Sequence, residues 1–146
     1  MEKKVLCRER DARAERLPVP SGNRAFYEQK TLVYQGNTEV TQMRLGMCWL
    51  EPGQEVGRHG HNCDEILYVL EGKGTFVVGG EKYEAGPGDL VYVPPDAIHG
   101  GHKNTGDKFW RYLFIVGQVL QPLDSCDVCL PSGENVKPQL VKEVEE

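Results

Sequence analysis

Three of the chain's four histidines and one glutamate are spaced as donors to a single ion: His59, His61 and Glu65 close together, and His99 well downstream. Side chains alternate faces along a strand, so His59 and His61, two apart, point the same way. Glu65 follows after a short loop that can fold it back beside them. Three imidazoles and a carboxylate suit one divalent transition metal (iron, manganese, nickel, cobalt or zinc), and a six-coordinate ion with four protein ligands keeps two positions for substrate. Such a site supports Lewis-acid activation of a small oxygen-bearing molecule, or oxygen chemistry when the ion is redox-active.

These donors sit in a wider pattern of turn residues. Gly53, His59, His61, Glu65 and Gly72 have the spacing of the first motif of the cupin superfamily: Gly, five residues, His-x-His, three or four residues, Glu, six residues, Gly. The stretch from Gly88 through Pro94 and Asp96 to His99 resembles the second motif, with Asp96 where the family has glycine; aspartate tolerates a left-handed backbone. The family's asparagine falls one place late, at Asn104. The resemblance spans Gly53 to Asn104. It implies an all-β fold, the double-stranded β-helix or jelly-roll barrel, with His59, His61, Glu65 and His99 as ligands. It also implies a homodimer, often with exchanged N-terminal strands. Cupins include dioxygenases, decarboxylases, lyases, isomerases and epimerases, so the resemblance leaves the reaction open.

Composition agrees with that architecture. At 146 residues the chain is one domain's worth. Its 17 glycines and 9 prolines punctuate many short apolar runs, as in a turn-rich β protein. A net charge of -5 gives no general attraction to nucleic acid or anionic membrane, and no basic patch with interleaved aromatics appears. No apolar stretch has the length of a membrane span. The first residues lack the apolar core of a secretory signal, and five scattered cysteines form no disulfide scaffold, so the expected setting is the cytoplasm.

Three regions follow. Residues 1–21 form a charged arm with a helix-like run over 9–16 that has almost no apolar face. Residues 22–120 carry the barrel. Residues 121–146 form a polar tail packed outside it or partly disordered. Strands are predicted at 25–33, 40–50, 57–61, 65–70, 75–78, 81–84, 90–94, 98–102 and 109–116. The second has Leu45, Met47 and Trp49 on one face, and 65–70 is apolar on both faces, as a central strand should be. Gly79-Gly80 signals a hairpin.

Other residues invite a role. His102, three from His99, faces the opposite side of a regular strand as a solvent or loop histidine, unless a bulge turns it toward the pocket. Cys63 lies between His61 and Glu65 and reads as a loop cysteine outside the ligand set. Cys126 and Cys129 form a C-x-x-C pair with no further ligands nearby and read as a reduced pair. Trp49, Tyr68, Tyr92, Trp110, Arg111 and Tyr112 are candidates for the pocket wall, of which alternation allows about half. The leading functional reading is a metal-dependent enzyme acting on a small organic acid, keto or hydroxy compound, or sugar. The alternative is a non-catalytic module that binds or senses such a molecule.

Overall fold

A computed structural model describes residues 2–16, 27–58, 60 and 63–117 with their side chains, and the backbone of 17–18, 26, 128–129 and 135–136. A single 3-10 turn, Glu9–Asp11, precedes β1 (Ala14–Pro18), β2 (Phe26–Val33), β3 (Met43–Leu50), β4 (Glu65–Glu71), β5 (Gly74–Val78), β6 (Glu81–Ala85), β7 (Leu90–Val93) and β8 (Trp110–Gly117). Two-residue strands β9 (Val128–Cys129) and β10 (Asn135–Val136) pair with each other. No helix among the described residues is long and apolar enough to cross a membrane.

Six strands form one antiparallel sheet in the order β1-β2-β3-β8-β4-β7. The hairpin β5–β6 forms the second sheet, closed by Gly79 and Gly80. Isolated bridges extend it: Thr75 and Glu55 each pair with Lys103, and Val78 pairs with His99. The chain is thus an all-β double-stranded β-helix barrel, as expected.

Alternation dictates the core. Strand β8 is buried at every second residue, which sends Trp110, Tyr112, Phe114 and Val116 inward. Opposite them stand Glu65, Leu67 and Val69 of β4, with Leu67 beside Phe114 and Val69 beside Tyr112. Phe76 of β5 seals the interior against Trp110 and Tyr112, with ring centroids 4.6 and 5.0 Å away.

Three local expectations are corrected. The run over 9–16 is a 3-10 turn followed by a strand, because β1 pairs with β2 from Ala14↔Lys30 to Pro18↔Phe26. Cross-strand bonding compensates a segment with no apolar helical face. In β3, Leu45, Met47 and Trp49 do share one face, the outer one, although Met47 is buried; the core takes Cys48 and Leu50. No strand runs through 98–102, because Gly100 and Gly101 take φ values of 106° and 70°. Of residues 57–61, Gly57, Arg58 and Gly60 lie in no strand, while His59 and His61 are outside the described residues. Strand β4 is central as predicted, yet its outer face leaves Ile66 and Leu70 exposed beside Leu90 and Tyr92 of β7.

Candidate metal centre

Glu65 opens β4 in the large sheet, and His99 lies across the barrel on the segment that bridges to Val78. The structure brings the two together. His99 Nε2 stands 2.8 Å from Glu65 Oε2, with side-chain exposures of 1% and 7%. The other ring nitrogen, Nδ1, lies 3.0 Å from the Ala97 carbonyl. A carbonyl accepts only, so this contact places a proton on Nδ1, and Nε2 faces a carboxylate oxygen.

Two electron-pair donors face each other in a buried place, an arrangement that a shared cation or a proton on Nε2 must reconcile. A metal-bound histidine ordinarily gives its second nitrogen to a carbonyl or carboxylate in this way. Ligand bonds of about 2.1 Å put neighbouring donors on one ion about 3 Å apart. The Glu65–His99 pair therefore fits a metal. His59 and His61, the other two expected ligands, lie outside the described residues. Among the described residues no group of three or more metal-binding side chains is gathered.

His102 is not a solvent histidine. It is 2% exposed, and its Nδ1 accepts a hydrogen bond from the Val77 amide at 3.0 Å. Its ring lies nearly parallel to that of His99, with centroids 6.1 Å apart, and edge-on to Phe76 at 5.0 Å. The positive φ angles of Gly100 and Gly101 cancel the alternation that would have turned it outward. Those glycines also absorb the extra residue before Asn104. That asparagine is 1% exposed and works as a clasp: its Nδ2 donates to the carbonyls of Leu50 (2.8 Å) and Lys108 (2.7 Å), and its Oδ1 accepts from the Gly106 amide (2.9 Å).

Of the six candidate wall residues, Trp110 and Tyr112 point inward; Arg111 pairs with Glu71 at 2.9 Å, and Tyr92 donates to Asp64 at 2.6 Å on the surface. Trp49 and Tyr68 are half-buried on the outer face. Cys63 is buried in the core cluster. Cys126 is outside the described residues, and Cys129 lies in β9.

Sequence reading missed a polar set on the inner wall. Gln29 of β2 is 7% exposed, sits opposite Cys48, and donates through Nε2 to Glu15 Oε2 at 3.2 Å. Cys48 in turn sits opposite Tyr112 in the β3–β8 ladder. Tyr112 donates its hydroxyl proton to the Cys48 sulfur, which raises one acid and lowers the other. Burial dominates nonetheless, pushing the Cys48 thiol up to about 12 and Tyr112 well above the ordinary tyrosine range. Tyr27 is raised as well, first by burial, then by the charges of Cys48, Glu65 and Glu15. Only the register of β2, β3 and β8 exposes this set; nothing in its spacing resembles a motif.

These shifts have a sign. Below pH 9 both folded and unfolded chains keep the Cys48 proton; between 9 and about 12 only the fold does. Its contribution to stability is therefore full below 9 and lost as pH rises, at about 1.4 kcal/mol per pH unit. Urea midpoints measured from pH 8 to 11 should fall less steeply for Cys48→Ala than for the parent chain. Parallel slopes would remove Cys48 as a contributor.

Comparison with known proteins adds the following. Residues 46–116 match the family model described as Cupin domain. Dimethylsulfoniopropionate lyase DddW of Ruegeria pomeroyi is 31% identical over 90 residues, covering 60% of this chain and 59% of that protein. 5-Nitrosalicylic acid 1,2-dioxygenase of a Bradyrhizobium species is 37% identical over 59 residues, covering 40% of this chain and 28% of that one. The chain thus spans less than two thirds of either relative. A crystal structure from Thermotoga maritima, a predicted oxalate decarboxylase, superposes with a TM-score of 0.68 at 24% identity, over 77% of this chain and 98% of that one.

Proposed function

The chain belongs to the cupin superfamily, and from that premise we propose that it is a metal-dependent enzyme acting on a small carboxylic acid. The carrying observation is the buried apposition of His99 Nε2 and Glu65 Oε2 at 2.8 Å. His59 and His61 would complete the set that holds the ion. When bound, a divalent transition metal supplies Lewis-acid polarisation of a substrate oxygen.

The rest falls to the chain's own side chains. Ala97 fixes the His99 ring through Nδ1, so Nε2 stays aimed at Glu65 without rotation. Phe76, Trp110 and Val69, all essentially unexposed, keep bulk water from the interior and strengthen every charge interaction there. Tyr27, Cys48 and Tyr112 stay protonated at neutral pH, so none of them serves as a base there. The two similar proteins above are named for acting on a propionate and a salicylic acid, both carboxylic acids, which supports that substrate class.

The test is a turnover screen. Protein reconstituted with each of iron, manganese, nickel, cobalt and zinc is presented with a panel of small carboxylic acids, following oxygen uptake and product release separately. Turnover of at least one acid by at least one metal form is expected. Saturable binding of an acid with no turnover by any metal form would replace the enzyme with a binding module.

A further inference from the structure

We propose that the outer face of the small sheet carries a second binding site, for a small phosphorylated metabolite. A groove of about 540 Å³ lies there, lined by Glu55, Arg58, Thr75, Lys82, Lys103 and Thr105 among others, and reaches the backbone around His99. Gly57, Gly80, Gly100 and Gly101 line its floor and place no side chains in it. At Gly100 a Cβ would stand 2.2 Å from the Gly57 carbonyl, so only glycine lets the two segments close into one floor. At Gly101 the Arg58 guanidinium stem occupies the vacated space, its Nε 3.3 Å from where a Cβ would be. The arginine is thereby laid along the groove.

Charge identifies the ligand. Three cations and one carboxylate line a concavity in a chain whose net charge is -5. Among the described residues no ion pair neutralises Arg58, Lys82 or Lys103. A concave basic wall concentrates anions. Arginine grips a phosphate with two parallel hydrogen bonds while lysines add point charges, and a phosphate monoester carries about -1.5 to -2 at neutral pH. The hydroxyls of Thr75 and Thr105 supply neutral donors, and the volume exceeds what phosphate alone would fill. The groove is of the size of a small-molecule site.

The groove adjoins His99, which lines it together with Gly100. It does not depend on that centre being loaded, which fixes the experiment. Metal-free full-length protein is titrated with glycerol 3-phosphate, with inorganic phosphate and with sulfate, following backbone amides by NMR. Saturable shifts at Arg58, Lys82, Gly101 and Lys103 are expected with glycerol 3-phosphate, weaker with inorganic phosphate and weakest with sulfate. Lys82→Glu, an exposed change, should weaken the ester at least tenfold while leaving the melting temperature in place, and Arg58→Ala should do the same. Absent shifts, equal response to sulfate, or undiminished binding by Lys82→Glu would each overturn the site.

Discussion

Replacing His99 by alanine is expected to abolish stoichiometric metal binding while the barrel stays folded. The imidazole presents Nε2 to Glu65 Oε2 across 2.8 Å, in a place where neither side chain is more than 7% exposed. Removing one donor of four from a preorganised site lowers affinity by about two orders of magnitude or more, since even outer-shell partners cost 10–100-fold. Elemental mass spectrometry on protein purified without chelator or affinity nickel, and competition with a chromogenic chelator, read this directly. Glu65→Gln should follow it. His102→Asn is the control: its amide oxygen can take over the acceptor role toward the Val77 amide, so it should retain metal although its ring lies 6.1 Å from that of His99. Full metal content in His99→Ala would strike His99 from the ligand set. Loss in all three variants alike would mean that aromatic packing, not ligation, had been disturbed.

The second large effect is structural. Gly72→Ala should destabilise the barrel by about 2–5 kcal/mol, because a left-handed backbone costs about 1–2 kcal/mol for an alanine and overpacking adds about 1–3 kcal/mol. Gly72 has φ 73°, and a Cβ there would stand 2.0 Å from the Phe109 carbonyl oxygen and 2.8 Å from Trp110 Cα. Those are backbone atoms at the start of β8, which cannot swing aside as a side chain could. For a domain of this size the loss corresponds to a fall in melting temperature of about 5–20 °C. Gly79→Ala supplies the comparison: its φ is 58° and nothing lies within 4 Å of the added carbon, so only the backbone cost applies. Equal melting temperatures for the two variants would refute the steric argument.

The fold class was legible because its signals are local. Short apolar runs between turn residues, the Gly79-Gly80 hairpin and the turn at Gly72 all lie within a few residues of what they control. The Glu65–His99 pairing was legible only through a recurring spacing, because the two stand on opposite sheets and no local rule joins them. His102 was misplaced for a physical reason. Alternation holds while φ stays in the extended region, and two successive glycines can leave it without any mark in the residues around them. The inner polar wall was illegible for another: Glu15, Gln29, Cys48 and Tyr112 meet through the register of three strand pairs, and register emerges from the closed sheet. In β3 the more apolar alternation, Leu45-Met47-Trp49, lies on the outer face, while the interior takes a cysteine beside a tyrosine.

The strand order also sets the sequence in which the molecule assembles. Hairpin β5–β6 joins near neighbours, from Val78↔Glu81 outward, and can form within microseconds. Strands β3 and β8 lie side by side from Met43↔Gly117 to Leu50↔Trp110, partners about sixty to seventy residues apart along the chain, and closing so long a loop precedes any reward from packing. Closure of the barrel is then the late, slow event, on a scale of milliseconds to seconds. Until it happens, β4 has no β8 to hold Glu65 in place, while His99 awaits only the nearby hairpin. The protein therefore gains its candidate site last, and a chain still emerging during synthesis holds no competent centre until β8 has been made.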